Sequence, residues 1–306
     1  MKKTATLLLI LLLYSSVSNS QSSFEKLWLE LEKLEADNLP KSALDRVEKI
    51  YLKAEKENNA SQLIKSLLHQ SKFSLILEEN AQLKVIHNFK KHISKSTFPT
   101  KNVLQNMLAN LYWQYFTQNR YKFYNRTKTA NKVDVIDFRT WDLNTLFKEI
   151  HTYFKASLES SEKLQKVDIH DFAAILSIRK DSKKYRPTLF DLLANNALEF
   201  YTSSETSITR PSYKFVINNP SFLSDYKTFL KLKIETKDSL SLAFNALKIY
   251  QNLVQFHSKE KNFNAVSDSD IHRLKFVNQH ATFQNKETIF LSTLEFSKER
   301  FNKNNI

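Results

Sequence analysis

The sequence predicts an all-α protein in which helical hairpins stack as a TPR-like α-solenoid or as an irregular helical array. Apolar residues recur at helical spacing in one segment after another, and the short breaks between these segments are polar. The 306 residues contain no Gly, although average usage would supply roughly 7%. Primed hairpin turns, phosphate-binding loops and nucleophile elbows depend on Gly, so β-rich folds are disfavoured and the Rossmann and Walker motifs are excluded.

The chain also contains no Cys, which excludes disulfides, thiolate metal sites, a Cys nucleophile and an internal thioester. Packing must therefore supply the stability of the fold. A content of 42% apolar and 12% aromatic residues provides ample material for a core.

The N-terminus has the three parts of a secretory signal. Lys2 and Lys3 form a basic start, residues 7–13 form an apolar run, and Ser18-Asn19-Ser20 supplies small residues for cleavage. We expect residues 1–20 to be a signal peptide and the mature chain to be exported to the periplasm, the cell surface or the exterior, with no transmembrane segment. The formal net charge of +14 then favours contact with envelope anions or acidic proteins, and not with nucleic acid.

The first part of the mature chain predicts two helical hairpins. A first helix is followed by a second one near Pro40, where the missing proline N–H costs nothing. Asn58-Asn59 ends the second helix and a third follows, giving a hairpin of roughly 40 residues, close to the tetratricopeptide period. The second hairpin is predicted over 81–96 and 99–120. The apolar stripes on which these helix predictions rest are Leu27, Leu31 and Leu34; Ala43, Val47, Ile50 and Ala54; Leu63, Ile64, Leu67, Leu68 and Phe73; and Ala109, Tyr112, Trp113 and Phe116.

Further helices are predicted along the rest of the chain. The most regular stripe spans 143–158, and Thr140 or Asp142 can cap its start. Pro187 opens the next helix, and two more are predicted near 243–254 and 286–302. The last one carries apolar residues on more than one face, so we expect a truncated chain whose partner helix lies beyond its end. The later stripes are Leu143, Leu146, Phe147, Ile150, Phe154 and Leu158; Leu189, Leu192, Leu193, Ala197 and Phe200; and Ala243, Leu247, Tyr250 and Val254.

Residues 209–225 interrupt the helical pattern. They hold two prolines and an alternation of apolar and polar residues, which is typical of an extended linker or a short edge strand. We expect this linker to separate a helical-repeat region at 21–208 from a C-terminal helical group at 226–306. Without Gly, left-handed backbone at helix ends should fall on Asn, as in Asn58-Asn59, Asn195-Asn196 and Asn218-Asn219.

The most unusual segment is 112–128, where aromatic and basic side chains interleave. Such a segment can stack on bases or form a protein-binding hot spot. Aromatic rings on helices are usually buried, so the same pattern also fits a core between helices with the basic groups outside. Export argues against nucleic acid, and the other two interpretations stay open. The candidate protein-interaction surface comprises Tyr112, Trp113, Tyr115, Phe116, Arg120, Tyr121, Phe123, Tyr124 and Arg126.

No residue pattern predicts catalysis, a cofactor or a metal. The eight His lack metal-ligand spacing, and His87 and His92 are five apart, which takes them off a common helical face. The polar group at 168–171 has no accompanying nucleophile, and we expect it to start a helix. Asp268-Ser269-Asp270 resembles the start of an EF-hand loop but lacks its Gly and distal Glu, so we expect a helix cap. We predict no catalytic, cofactor-binding or metal-binding residue.

Several stretches resemble the opening of large α2-macroglobulin-like proteins of Bacteroidetes. They follow one another with fitting spacing and together span nearly all of the mature chain. The stretches are Asn38-Leu39-Pro40-Lys41-Ser42-Ala43-Leu44; Leu111-Tyr112-Trp113-Gln114-Tyr115-Phe116 with Asn119-Arg120-Tyr121-Lys122-Phe123; Arg139-Thr140-Trp141-Asp142-Leu143; Arg186-Pro187-Thr188-Leu189-Phe190-Asp191; and Glu235-Thr236-Lys237-Asp238-Ser239-Leu240.

The resemblance implies the N-terminal helical module of an exported protease inhibitor, acting as a spacer or a docking region. Its partners would be proteases, envelope proteins or the missing macroglobulin domains. The bait region, thioester and β-domains of this family have no counterpart here, so trapping chemistry is assigned to no residue. The alternative is an independent secreted helical-repeat scaffold for protein interactions. A helical enzyme that uses carboxylates alone is a third class, but no Glu-x-x-His pair supports it.

Overall fold

A computed structural model describes residues 23–126, 134–207 and 213–304. The structure is about 74% helical, and no strand occurs in these ranges, which confirms the all-α prediction. An isolated antiparallel bridge joins Asp168 and Thr188. No helix in the same ranges has the length and apolar character needed to cross a membrane. The predicted signal segment, residues 1–20, lies outside the described part of the chain.

The helices belong to two compact units. The first unit runs to Thr100 and includes Phe172–Leu176, whereas the second consists of Lys101–Asp171 and the chain from Ser177 onward. Residues 213–225, the described part of the predicted linker, lie within the second unit. That the segment 209–225 separates two parts of the chain stays a prediction.

Four helices form most of the first unit. They are α1 at 23–36, α2 at Pro40–Lys56, α3 at Ala60–Leu77 and α4 at Ala81–Lys95. Two of the turns place Asn in the left-handed region, with φ of 54° at Asn38 and 51° at Asn58, as expected for a chain without Gly. Asn59 then caps α3, because its side chain accepts a hydrogen bond from the backbone N–H of Gln62 at 3.1 Å.

The core of the first unit forms where α1 packs against α2 and α3. Trp28 and Leu31 of α1 are buried in one cluster with Val47 and Ile50 of α2. The indole N–H of Trp28 donates to the side-chain oxygen of Gln62 at 2.6 Å, so the polar atom of the ring is satisfied. The apolar stripes predicted for α1 and α2 therefore face each other.

The second unit contains six longer helices among its described residues. Asp142 caps α7, as predicted, by accepting a hydrogen bond from the backbone N–H of Thr145 at 2.8 Å. The longer helices are α5 at Thr100–Gln118, α7 at Leu143–Ser157, α10 at Leu189–Tyr201, α12 at Leu242–Lys259, α13 at Phe263–His280 and α14 at Lys286–Asn304. The shorter helices between them are α6 at Arg120–Tyr124, α8 at Ser161–Leu164, α9 at Ser182–Tyr185 and α11 at Tyr226–Leu230. Short 3₁₀ turns occur at Phe138–Thr140, Ile169–Ile175, Ser204–Ser207 and Pro220–Leu223.

Three local predictions are wrong. Left-handed backbone does not fall on Asn alone, because Ser160, Asp181 and Lys261 also adopt it, and Asn219 has a φ of −101°. Asn195-Asn196 does not end a helix but lies inside α10, where Asn195 donates to the backbone oxygen of Asp191 at 2.8 Å. Asp268-Ser269-Asp270 is not a cap either, because it lies within α13, a helix that the sequence pattern did not reveal. Asn195 and Asp270 each pair with a residue of their own helix, so neither side chain competes with the helical backbone.

Over its described part, the predicted extended segment is non-helical only as far as Asn219. The backbone is irregular from 214 to 219 and then forms the 3₁₀ turn Pro220–Leu223. Ile217 is buried, and its carbonyl accepts a hydrogen bond from the backbone N–H of Thr282 at 3.0 Å. Phe222 and Leu223 are also buried, so this segment contributes side chains to the core of the second unit.

Candidate functional site

An open groove of about 490 Å³ lies in the first unit, between α2 and α4. Gln70 and Ser74 of α3 line the same groove, and α3 packs against both helices. Because helices two apart in an antiparallel array run in the same direction, α2 and α4 form two roughly parallel walls. The groove is lined mostly by polar and charged side chains, in contrast to the apolar core on the other side of α2.

The wall formed by α2 is acidic. Asp45, Glu48 and Glu55 line the groove, and all three side chains are exposed. Glu48 accepts a hydrogen bond from the side-chain amide of Gln70 at 2.6 Å, which holds its carboxylate in the groove. The carboxylate of Asp45 has no ion-pair partner among the described residues.

The wall formed by α4 is basic. Lys84, Asn88, Lys91 and Lys95 recur at helical spacing and therefore lie on one face of α4, and that face lines the groove. Lys84 forms an ion pair with Glu78 at 2.6 Å. The amines of Lys91 and Lys95 form no ion pair within the part of the chain that the structure describes.

A contact between Tyr51 and His92 joins the two walls. The Tyr51 hydroxyl lies 3.3 Å from His92 Nδ1 and also donates to Glu55 at 3.2 Å. Burial and the Glu55 carboxylate raise the pKa of Tyr51 to about 12, so the phenol stays protonated at neutral pH. Burial and the neighbouring Lys91 lower the pKa of His92, which keeps the imidazole neutral. The junction therefore adds no charge to either wall.

This arrangement of side chains can bind a charged segment through complementary charges. Two rows of opposite charge face the same cleft, so a ligand with both signs of charge finds a partner on each side. Within the described ranges, no group of three or more His, Cys, Asp or Glu side chains is placed to hold a metal ion. Tyr51, which has a raised pKa, is an unsuitable proton donor or acceptor near pH 7.

The candidate surface predicted at 112–126 belongs to the second unit and divides into three classes by exposure. Tyr112, Phe116 and Phe123 are at most 2% exposed, so for these rings the core interpretation is correct. The ring of Tyr112 lies 5.2 Å from that of Phe138, and the ring of Phe116 lies 5.0 Å from that of Phe147, both in edge-on contacts.

Trp113, Tyr115 and Arg126 are half-buried. The ring of Trp113 lies 5.2 Å from that of Phe200, and the ring of Tyr115 lies 4.8 Å from that of Phe138. Both rings therefore extend the aromatic core. Arg126 donates to the backbone oxygen of Trp141 at 2.6 Å.

Arg120, Tyr121 and Tyr124 are the exposed members of the predicted surface, and Tyr121 is 83% exposed. Arg120 forms an ion pair with Glu205 at 2.7 Å, and the Tyr124 hydroxyl donates to the same carboxylate at 2.6 Å. Two of the three exposed side chains are thus already engaged. The structure does not bring these nine residues together as one open surface, and their role in binding a protein stays a prediction.

Buried polar pairs in the second unit account for other titratable groups. His257 Nε2 lies 2.6 Å from Asp191, whose other carboxylate oxygen accepts hydrogen bonds from Thr188 in a capping box at the start of α10. Asp270 and Arg273 are 2.6 Å apart and fully buried. The polar group at 168–171 begins a 3₁₀ turn, as expected for a helix start, with Asp168 accepting from the backbone N–H of His170 at 2.9 Å.

The charged groove was not foreseen from the sequence. The repeat of Lys84, Asn88, Lys91 and Lys95 was visible as a basic face, but a charged face on a helix is usually only a solvated one. The basic face becomes part of a candidate site because an acidic wall lies across the groove from it, and that wall belongs to a helix some 40 residues earlier in the chain. No protein-family model, curated protein or solved structure matches this chain.

Proposed function

We propose that this chain is a non-catalytic helical module that docks a segment of another protein in the groove between α2 and α4. The groove is the observation that carries the proposal, since it combines an accessible cleft with the charges of Asp45, Lys91 and Lys95, which form no ion pair among the described residues. Helical arrays commonly bind extended or helical segments in such clefts. Each partner charge that enters would replace solvent around Lys91 or Lys95.

The proposed setting is an exported α2-macroglobulin-like protease inhibitor, in which this module serves as a docking region or spacer. The sequence stretches that resemble that family support this setting, as does the secretory signal pattern of residues 1–20. An independent secreted scaffold is the alternative, and both settings use the same groove. DNA sequence after the codon for Ile306 separates them, because a frame that continues into Gly-containing, strand-rich sequence supports the inhibitor and an immediate stop favours the scaffold.

A display selection tests the docking function. Random twelve-residue peptides are panned against the purified native protein, and the affinity of each enriched peptide is then measured for the native protein and for the double variant Lys91→Glu/Lys95→Glu. We expect peptides that bind the native protein and lose at least tenfold in affinity to the variant. Lys49→Glu/Lys56→Glu is the matched control, because it changes the net charge by the same amount on a part of α2 that does not line the groove.

Circular dichroism first establishes that both variants keep the helical content of the native protein. Peptides that bind the native protein and both variants equally would place docking elsewhere and overturn the proposal. Failure to enrich any peptide in repeated selections would also contradict it. Peptides that are sensitive to the control substitutions alone would count against the groove in the same way.

A further inference from the structure

We infer that the groove between α2 and α4 recognises an extended peptide in which acidic and basic side chains alternate. This inference rests on the docking function proposed above and specifies the partner. Successive side chains of an extended chain point to opposite sides. A segment that runs along the groove therefore sends every second side chain to the basic wall and the remaining ones to the acidic wall.

The spacing of the basic wall fits an extended chain. Lys91 and Lys95 are four residues apart on α4, which corresponds to a rise of about 6 Å along the helix axis. Residues on the same side of an extended chain repeat about every 6.6 Å. Two acidic side chains separated by one residue would thus meet two successive lysines of α4. The residue between them points to α2, where it meets Glu48 or Glu55.

The length of the groove also suits an extended occupant. Lys84 and Lys95 are eleven residues apart, so the basic wall is about 16 Å long. An extended segment of about five residues spans that length.

Segments of a single charge sign fit less well. A uniformly acidic segment would pair with Lys91 and Lys95, but every second side chain would face Asp45, Glu48 or Glu55. A uniformly basic segment meets the same conflict at α4. Like charges that face each other oppose binding, so the two walls together select against both. The Tyr51–His92 junction is neutral and does not shift this balance.

Four blocked eight-residue peptides test the inference. The first alternates Glu and Lys, the second has the same composition in two blocks of four, the third is all Glu and the fourth is all Lys. Fluorescence anisotropy at low ionic strength measures their affinity for the purified protein. We expect the alternating peptide to bind at least tenfold more tightly than its block isomer, which has the same net charge and composition, and than either homopolymer.

Charge-swapped variants make the test sharper. Reversing one wall with Lys91→Glu/Lys95→Glu should weaken the alternating peptide at least tenfold, because both walls are then acidic. Reversing the other wall in addition, with Glu48→Lys/Glu55→Lys, should restore binding. A shift of one residue along the groove moves every side chain of the peptide to the opposite side, so an alternating peptide fits the swapped groove as well.

Equal affinities for the alternating and block peptides would overturn the inference, and so would no measurable binding of the alternating peptide. A four-residue swap that fails to recover binding while its helical content is intact would overturn it as well. Groove-dependent peptides from the display selection that do not alternate in charge would refute only this inference and leave the docking function in place.

Discussion

Acidification should destabilise the second unit through His151, which is buried against Tyr201. His151 is 9% exposed, and its Nδ1 lies 2.9 Å from the Tyr201 hydroxyl. Burial and the nearby Lys155 lower the pKa of His151 from 6.5 to about 4. The folded protein therefore prefers the neutral imidazole, whereas the unfolded chain takes up a proton near pH 6.5.

The sign and size of the effect follow from this difference. Because the folded-state pKa is lowered, the contribution of His151 is present above about pH 6.5 and is lost as the pH falls toward 4. One pKa unit corresponds to about 1.4 kcal/mol, so a difference between 6.5 and about 4 removes about 2 kcal/mol by pH 5 and about 3 kcal/mol by pH 4.

Urea unfolding at pH 7, 6 and 5, followed by circular dichroism, measures this loss. The half-buried His69, His92 and His280 also have lowered pKa values, so the comparison is made against His151→Gln, whose side chain stays neutral throughout. We expect the free energy of unfolding of the native protein to fall by about 2 kcal/mol more than that of the variant between pH 7 and 5. The same pH dependence in both proteins would refute the reasoning.

Two buried polar pairs of the second unit give further predictions. Asp191→Ala removes the carboxylate half of the capping box of α10 and the buried partner of His257, so urea unfolding should show a loss of about 3–5 kcal/mol. A loss below about 1 kcal/mol would mean that the pair contributes little. Arg273→Met leaves Asp270 buried without its partner and should cost a similar amount, whereas adding Asp270→Leu should recover at least about 1 kcal/mol, because no charge then stays unpaired. A double variant less stable than Arg273→Met would contradict this.

Most helices were predictable because their apolar residues recur at helical spacing within a short stretch of the sequence. The stripe predicted at 143–158 became α7 at Leu143–Ser157, with the expected Asp142 cap. Pro40 and Asn58 likewise marked the boundaries of α2. In each case, the residues that define the element lie within a few turns of one another, so the sequence alone contains the pattern.

The helix α13 escaped prediction because its buried face includes a charged pair. Asp270 and Arg273 occupy positions where an apolar residue would have completed the stripe. Their burial is possible because Arg273 also donates to the backbone oxygens of Phe222 and Ser224, far away in the sequence. A pattern read along the chain shows two charges and cannot show the partners that make them core residues.

The aromatic segment shows the same limit in another form. The pattern of Tyr112, Phe116 and Phe123 fitted both a core, which it favoured, and a binding surface, and only the positions of Phe138 and Phe147 decide for the core. The groove depends on tertiary structure even more, since its acidic and basic walls come from different helices. The basic residues of α4 could therefore be assigned to a candidate site only once the structure showed the acidic residues of α2 opposite them.

Amine footprinting of the groove tests the central claim most directly. The native protein is acetylated with and without an alternating Glu-Arg peptide, which has no side-chain amine to compete, and the modified lysines are quantified by mass spectrometry. We predict that the peptide lowers the acetylation of Lys91 and Lys95 severalfold and leaves Lys49 and Lys56 unchanged. Equal acetylation of all four lysines with and without a saturating amount of peptide would contradict docking between α2 and α4.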